Sequence, residues 1–545
     1  MSLRLKSICL AAALALPAVA RAQSFPTDDA TLKRIWSVGM DSSQIKKLAQ
    51  IFLDSIGPRL TGTPRQKMAN DWVVKTYQSW GIDAKNEQFG TWRGWRRGYS
   101  HIDLIAPRER TLEGTMLGYS PGTKKKDVIA SPIILPRFKD STEFVQWLPQ
   151  AKGKLVLVSA PQPTCRPVEE YTREATPESK ARMDSTRRAV SQEWGGANVR
   201  GTGYSLALGG GELGVRLEQG GAAGVITSRA KDAWGTIEIF ETYNTKAPGI
   251  ALSCEDYGLV FRLTENNQGP KLRLNLDAEL LGEQPIYNTI GMLRGSEKPN
   301  EYVLLSAHFD SWDGASGATD NGTGTLTMLE AMRILSTVYP KPKRTIIVGH
   351  WAGEENGLVG SRAYSEDHPE VRDGMQAMFN QDNGTGRIVR IGGGGMVNSV
   401  QHIPGWLAKM PDTFQKQITF GGAGFPSGGG SDDASFACWG APAFGLGGTG
   451  WDYGSYTWHT NRDTFDKVWF DDLKGNATIA AMLAYLASED PDKVTRERID
   501  PAAAQRAGAA GGAAAGAGGR GGAGQGTFAW PVCQKAPRKT QPRLK

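Results

Sequence analysis

The sequence has no apolar run long enough to cross a bilayer, and it has few cysteines and histidines. Its 545 residues include 5 cysteines and 6 histidines. The apolar run near the N-terminus, Ile8 to Val19, is shorter than the roughly 20 residues that a spanning helix needs, and no later stretch approaches that length. No cysteine lies in a Cys-x-x-Cys pair, so a zinc site built from cysteines is not expected. A membrane span is not expected either.

The chain also lacks a strong excess of charge of either sign. Its 63 Lys and Arg residues against 56 Asp and Glu residues give a formal charge of +7. Part of that excess lies at the two ends, at Arg4, Lys6, Arg21, Lys535, Arg538, Lys539, Arg543 and Lys545. The part in between is close to neutral, so bulk charge gives no indication of nucleic-acid binding.

The first 22 residues have the pattern of a secretory signal peptide. Arg4 and Lys6 precede the apolar run, and Ala20-Arg21-Ala22 is a small-x-small cleavage site, so we expect the mature chain to begin at Gln23. We therefore predict a periplasmic or secreted protein. Four cysteines remain after cleavage. Export permits disulfides, but the spacing leaves all three pairings open.

Polar residues follow two predicted strands near the middle of the chain. Val303 to Ala307 reads as a buried strand that leads to His308, and Thr345 to Val348 reads as a second strand followed by Glu354 and Glu355. Leu326, Leu329 and the apolar residues after them recur at helical spacing between the strands. In such strand–helix–strand units, ligands bind beyond the carboxyl ends of the strands.

Alternating strand and helix signals predict an α/β fold, a mostly parallel mixed sheet with helices on both faces. We expect residues 27–120 and 283–490 to form this domain. The segment 121–282 resembles the protease-associated domain, a small β-rich module, on the basis of Gly153–Val158 and Gly220–Ile226; the alternative is that it extends the main sheet. We expect residues 491–545 to be a disordered tail, because 502–527 are almost wholly Ala and Gly.

The segment Trp92–Arg97 interleaves aromatic and basic residues. One interpretation is a stacking surface for a glycan, peptide or nucleic acid. The favoured interpretation is a strand with a buried aromatic face and a basic face directed at solvent.

The residues of a hydrolytic metal site recur in order along the chain. Such a site needs imidazoles and carboxylates that converge, and a further carboxylate to take a proton from water. Only His308 and His459 lie among acids in loop-like contexts, whereas His350 ends an apolar strand and is expected to be structural. The ordered set is His-x-Asp, Asp-Asn-Gly before a helix, Glu-Glu after a strand, Asp after a strand, and His in His-Thr-x-x-Asp-Thr.

This ordered set resembles the co-catalytic zinc exopeptidases, typified by bacterial leucyl aminopeptidase and plasma glutamate carboxypeptidase. The resemblance implies two zinc ions. It implies ligands His308 and Asp382 for one ion, Glu355 and His459 for the other, Asp320 as the bridge, Glu354 as general base, and Asp310 as the residue that orients His308. The chain departs from the family pattern at Ser431-Asp432-Asp433, where Ser-Asp-His is common, and at Trp458, where several members have Tyr.

The sequence therefore predicts a secreted zinc exopeptidase with peptide substrates, either an aminopeptidase or a dipeptidase. A carboxypeptidase of the glutamate carboxypeptidase type is the nearest alternative, and it would need a basic pocket for the terminal carboxylate. A binding protein that keeps the fold without catalysis is a third possibility, which the complete set of ligands and base disfavours.

Overall fold

The computed structural model describes residues 23–124, 126–195, 198–205, 211–229, 231–426, 429–500, 502 and 530–541. The predicted signal peptide and nearly all of the Ala/Gly-rich stretch lie outside the described residues. In the described ranges, no helix combines the length and the apolar character needed to cross a membrane.

The secondary structure alternates along the chain. The strands are β1 (Asp83–Ala106), β2 (Arg110–Thr111), β3 (Gly114–Met116), β4 (Val128–Ala130), β5 (Pro132–Ile134), β6 (Leu155–Leu157), β7 (Gly224–Thr227), β8 (Gly249–Leu252), β9 (Lys271–Leu293), β10 (Lys298–His308), β11 (Arg344–Trp351), β12 (Met375–Asn380), β13 (Ile388–Ile391), β14 (Thr419–Phe420) and β15 (Ala443–Gly448). The helices are α1 (Ala30–Trp36), α2 (Ile45–Ala49), α3 (Pro64–Ser79), α4 (Ser141–Trp147), α5 (Val168–Glu174), α6 (Pro177–Trp194), α7 (Gly211–Gln219), α8 (Cys254–Glu265), α9 (Thr323–Val338), α10 (Val359–Asp367), α11 (Pro369–Asp373), α12 (Ser399–Leu407), α13 (Asp412–Gln417), α14 (Ala434–Ala437) and α15 (Phe470–Glu489).

One large mixed sheet forms the centre of the molecule, in the order β14-β13-β15-β12-β10-β11-β9-β1-β2, with β4 also paired to β9. Strands β12, β10 and β11 are parallel neighbours, and β9 and β1 continue the sheet as a long antiparallel pair. The α/β prediction is confirmed. The cause is the alternation of short apolar strands with helices, which permits parallel pairing through crossover connections.

Helices cover both faces of this sheet. Successive side chains of a strand point to opposite faces, and accordingly Val303 and Leu305 pack into a core shared with α1, α2, α3, α9 and α15. Leu304 packs on the other face, in a core shared with α10, α11 and α14. Two buried faces explain why β10 and β11 read as continuous apolar runs in the sequence.

A second sheet of five strands follows the order β3-β8-β7-β6-β5 and has its own hydrophobic core. Helices α4 to α8 belong to the same stretch of chain, and Cys165 is joined to Cys254 by a disulfide. We call this stretch, residues 114–265, the second unit. In the sequence this unit lies between β1 and β9, which pair with each other in the large sheet, and β4 within the unit also pairs with β9.

The aromatic side chains of the Trp92–Arg97 segment are buried in β1. Trp92 is 3% exposed and Trp95 is fully buried, while Arg93 pairs with Glu241. The strand with buried aromatic side chains agrees with the favoured interpretation, and neither tryptophan offers a free face for stacking. The expected basic face directed at solvent is wrong in part, because the side chains of Arg93 and Arg97 are only 18% and 15% exposed.

The C-terminal segment 530–541 packs against the large domain, in contrast to the disordered tail that we expected. Cys533 forms a disulfide with Cys438, Arg538 pairs with Glu366 and Asp367, and the Arg538 carbonyl accepts a hydrogen bond from the backbone N–H of Thr91. We call this segment the C-terminal strap. The expectation failed because the Ala/Gly-rich composition of residues 502–527 gives no information about the disulfide that Cys533 forms after them.

Candidate metal centre

The carboxyl ends of three parallel strands bring three of the predicted ligands together. His308 is the last residue of β10, the Glu354-Glu355 pair follows the end of β11, and Asp382 lies two residues beyond β12. Because β10 pairs in parallel with both β11 and β12, these ends meet at one edge of the sheet. This is the edge at which α/β sheets bind ligands.

The other two predicted ligands lie in connections. Asp320 lies in the turn Ala318–Gly322 that leads into α9. His459 follows the turn Tyr453–Thr457 and has a left-handed backbone with φ 60°. Such strained backbone in a non-glycine residue persists only where the surroundings enforce it, and it is concentrated at functional sites.

Asp320 lies between the two histidines. Its Oδ1 atom is 3.3 Å from Nε2 of His308, and its Oδ2 atom is 3.1 Å from Nε2 of His459. Nε2 of His308 is also 3.2 Å from Asp382 Oδ1, and Nε2 of His459 is 3.0 Å from Glu355 Oε2. The result is two sets of three donor groups that share one carboxylate, and all donor atoms of a set lie within 4.8 Å of one another.

Asp310 contacts His308 through its main chain. Nδ1 of His308 lies 3.0 Å from the Asp310 carbonyl oxygen, whereas the nearest carboxylate oxygen of Asp310 is 3.7 Å away. That carboxylate instead accepts hydrogen bonds from the backbone N–H groups of Glu354, at 3.0 Å, and Glu355, at 3.3 Å. Asp310 therefore fixes both the imidazole and the turn that carries the two glutamates.

Two further residues hold the loop around Asp320, and the sequence interpretation gave them no role. The carboxylate of Asp463 accepts hydrogen bonds from the backbone N–H groups of Thr319 and Asp320, at 2.7 and 3.0 Å. The buried guanidinium of Arg59 donates to the carbonyl oxygens of Phe309, Gly57, Ser316 and Gly317. The role of Asp463 could have been suspected from the acid in His-Thr-x-x-Asp-Thr, but no sequence pattern pointed to Arg59.

The electrostatics of the site are dominated by buried carboxylates. Burial raises the pKa of Glu355 to about 7 and that of Glu354 well above its usual range, and neighbouring carboxylates add to the rise at Glu354. Burial alone would lower the pKa of His459, but Glu355 and Asp320 raise it to about 9. Asp432 is also fully buried, and burial raises its pKa to about 8. Negative charge therefore exceeds what the two imidazoles can neutralise.

The donor set fits divalent cations. Each set has one imidazole nitrogen and two carboxylates, which is a ligand composition that zinc accepts. Oε1 of Glu355 is buried and accepts no hydrogen bond from the described residues. Buried carboxylate oxygens without donors are costly unless a cation or a proton neutralises them.

The second unit contributes a wall of this site. The backbone N–H of Ile239 donates to the carbonyl of His459 at 2.7 Å, and Glu238 forms a β-bridge with Thr460. The Phe240 ring lies edge-on to the His459 ring, with centroids 5.0 Å apart. Trp458, the departure from the family pattern, stacks on His459 with centroids 3.6 Å apart. No pattern in the sequence indicates that residues near 240 reach the centre.

His350 does not join the cluster. It is fully buried, its Nε2 lies 2.7 Å from the Tyr77 hydroxyl, and burial lowers its pKa to about 3. The structural role expected for it agrees with these contacts. His368 and His402 pair with Glu87 and Asp490, away from the two donor sets.

A comparison with known families identifies the part of the chain that carries the centre. Residues 288–484 match peptidase family M28. This range contains all seven predicted site residues, and the resemblance to the zinc exopeptidases is confirmed. Among curated proteins, the chain is 25% identical to carboxypeptidase Q of Xenopus laevis over 335 residues, which are 62% of this chain and 64% of that protein. The chain thus matches less than two thirds of that relative's length.

Solved structures show the same fold. The chain is similar to a peptidase M28 precursor from Shewanella amazonensis SB2B, with a TM-score of 0.63 and 25% identity over 86% of this chain and 99% of that one. It is also similar to BSAP, a zinc aminopeptidase from Bacillus subtilis, with a TM-score of 0.52 and 19% identity over 83% and 96% of the two chains. The latter likeness concerns the fold alone.

Proposed function

We propose that the protein is a secreted zinc-dependent exopeptidase that hydrolyses the N-terminal bond of peptides or dipeptides. The observation that carries the proposal is the position of Asp320, whose two carboxylate oxygens face two different histidines at 3.3 and 3.1 Å. A shared carboxylate between two imidazole-containing donor sets is the arrangement that a two-metal hydrolase needs.

The residues would divide between two zinc ions. His308 and Asp382 would hold one ion, Glu355 and His459 the other, and Asp320 would bridge them. Zinc bound here would supply Lewis acidity, which lowers the pKa of bound water and polarises a scissile carbonyl.

Glu354 is the proposed general base. Its backbone N–H is fixed by Asp310, so its position relative to the ligand Glu355 is set by one carboxylate. Its carboxylate would take a proton from the attacking water and deliver it to the nitrogen of the leaving amine. A raised pKa suits this task, because the group must hold the proton between the two transfers.

Export and domain organisation are parts of the same proposal. Residues 1–22 would be a cleaved signal peptide, and the two disulfides, Cys165–Cys254 and Cys438–Cys533, are suited to the periplasm or the extracellular space. Residues 121–282 would act as an inserted protease-associated-like domain between the two parts of the peptidase domain, 27–120 and 283–490.

A carboxypeptidase is the alternative, favoured by the name of the curated relative, carboxypeptidase Q. In the deciding experiment, the zinc-loaded mature protein is incubated with a short peptide and, separately, with the N-acetylated twin of that peptide. The products are identified by mass spectrometry. The proposal expects loss of residues from the free N-terminus, with the twin intact. Equal trimming of both from the C-terminus would establish the carboxypeptidase. No cleavage of these peptides or of dipeptides would favour a binding protein.

A further inference from the structure

The second unit also contacts the turn that carries the proposed base and one proposed metal ligand. We call this turn, residues 354–358, the glutamate turn. Nδ2 of Asn356 in the turn donates a hydrogen bond to Oε2 of Glu241 at 3.3 Å. Glu241 is only 2% exposed, and it directly follows Phe240, whose ring contacts His459. One buried carboxylate of the second unit is therefore connected to both segments that supply ligands for the same proposed ion.

Arg93 holds Glu241 in place. Its guanidinium donates to Glu241 Oε2 at 2.5 Å and to the carbonyl oxygen of Thr242 at 2.6 Å. The guanidinium also lies between two tyrosine rings, 3.9 Å from the centroid of Tyr119 and 3.9 Å from that of Tyr243. The Tyr243 hydroxyl donates to Oε1 of Glu241 at 2.7 Å. A buried carboxylate is costly unless it is paired and hydrogen-bonded, so Arg93 and Tyr243 compensate for the burial of Glu241.

A second series of contacts leads from Arg93 to the same turn. The hydroxyl of Tyr119, the ring beneath Arg93, donates to the carbonyl oxygen of Thr61 at 2.7 Å. The Thr61 hydroxyl in turn donates to Oδ2 of Asp310 at 3.0 Å. The Asp310 carboxylate accepts the first two backbone N–H groups of the glutamate turn. Two separate series of contacts that begin at Arg93 thus hold this turn.

We propose that Arg93 and Glu241 are positioning residues for the glutamate turn. The inference rests on the proposed function, because it gives both residues a part in the same reaction. The base Glu354 and the ligand Glu355 share the turn, so a small shift of its backbone would move both carboxylates. A displacement of about 1 Å from a substitution far from the reacting atoms can lower a rate about 100-fold. The contribution of the Trp92–Arg97 segment to the site is then the guanidinium of Arg93.

Glu241→Gln is the first test. The variant keeps the size of the side chain, loses the charge that pairs with Arg93, and has one acceptor oxygen where the carboxylate has two. At saturating zinc, kcat and kcat/KM for a short peptide should fall together by about 10- to 100-fold, with KM within about 2-fold of wild type. An unchanged kcat would overturn the inference.

Glu218→Gln is the matched control. Glu218 is also a glutamate of the second unit that holds a turn, since its carboxylate accepts the backbone N–H groups of residues 245–247. The same substitution there should leave kcat and KM unchanged. An equal fall of kcat in both variants would mean that any disturbance of the second unit slows the enzyme, and it would overturn the specific role of Glu241.

Asn356→Ala tests the last contact of the series and leaves the pair of Arg93 and Glu241 in place. Its kcat should also fall. The double variant with Glu241→Gln should be slower than the slower single variant by no more than about 2-fold, because both substitutions break the same connection. If the two effects multiply in the double variant, the residues act independently and the inference is wrong.

Hydrogen exchange of the zinc-free mature protein separates this inference from the proposed function. In Glu241→Gln, the backbone N–H groups of the glutamate turn should exchange several-fold faster than in wild type, while those of β12 keep the wild-type rate. This result would support the positioning role even if wild type cleaved no peptide. Unchanged exchange in the turn would overturn it. Equally faster exchange in the turn and in β12 would also overturn it, because the substitution would then act only on global stability.

Discussion

Asp463 and Asp320 are joined through the main chain: the Asp463 carboxylate accepts a hydrogen bond from the backbone N–H of Asp320 at 3.0 Å. A second hydrogen bond, from the Thr319 N–H at 2.7 Å, fixes the preceding peptide unit. Asp320, the residue proposed to bridge the two metals, is therefore held in position by Asp463, which belongs to neither donor set. Residues that orient metal ligands are often as important to activity as the ligands themselves.

The substitution Asp463→Asn tests this relationship. It replaces one acceptor oxygen by an N–H₂ group that faces a backbone N–H, so we expect zinc affinity or kcat/KM to fall about 10- to 100-fold. Zinc content by mass spectrometry and peptidase rates provide the measurement. Asp466→Asn, at an exposed position three residues on, is the control and should leave both unchanged. Unaltered zinc binding and rate in Asp463→Asn would contradict the positioning role.

Glu354→Gln separates proton transfer from metal binding. The amide keeps the size of the side chain but cannot take a proton, so kcat should fall about 10²- to 10⁴-fold while the zinc content stays the same. Glu283→Gln, on an exposed position of β9, is the matched control. Retention of full activity in Glu354→Gln would refute Glu354 as the base.

The number of metal ions can be counted. Chelator-treated protein titrated with zinc should bind two equivalents, and His459→Ala should bind one, because only one donor set loses its imidazole. A single equivalent in the wild type at saturation would reject the bridged site.

The contact between Glu87 and His368 should give a pH-dependent stability. Their oxygen and nitrogen atoms lie 2.5 Å apart. Hydrogen bonds from His368 and Lys85 outweigh burial and lower the pKa of Glu87 to about 2, and the Glu87 hydrogen bond raises the pKa of His368. The contribution of Glu87 to the free energy of unfolding is present above its ordinary pKa of 4.5 and is lost as the pH falls towards 2. The His368 contribution is present below 6.5 and is lost as pH rises through the raised value.

His368→Gln should accordingly lower the melting temperature more at about pH 5.5 than at about pH 9. The substitution should lower the free energy of unfolding by less than about 1 kcal/mol, because the Glu87–His368 pair is partly exposed. Calorimetric scans at the two pH values provide the measurement. The His368 ring also packs against the Tyr364 ring, with centroids 4.2 Å apart. An equal fall in melting temperature at both pH values would show that only this packing is affected.

The C-terminal strap should contribute to stability. Cys533→Ser opens the cross-link to Cys438, and a disulfide typically contributes about 2–4 kcal/mol to stability. The melting temperature should fall by several degrees, whereas truncation after Gln541 should have little effect. An unchanged melting temperature in Cys533→Ser would mean that the strap is held by its ion pairs alone.

The sequence was most informative where chemistry follows directly from a strand. His308 and the Glu354-Glu355 pair could be placed because short apolar runs indicate parallel strands, and the carboxyl ends of such strands converge. The position of Asp310 was also suggested, but the sequence could not show that its carboxylate would bind the backbone at Glu354 rather than His308. That choice depends on the conformation of two loops.

Contacts between distant segments could not be predicted from the sequence. Ile239 and Phe240 reach His459 over more than 200 residues of chain, and no periodicity in either segment indicates the other. Arg59 is fully buried and has four carbonyl partners, although isolated arginines usually lie at the surface. The Cys438–Cys533 pairing was one of three equally allowed arrangements.

The disulfide between Cys438 and Cys533 gives the end of the protein a second covalent route to the peptidase domain, independent of the backbone between them. A protease that cuts within the Ala/Gly-rich stretch would divide the polypeptide in two, but the basic C-terminal piece would remain attached through the disulfide. The nicked protein would therefore keep its mass under oxidising conditions and release the fragment only in the presence of a reductant.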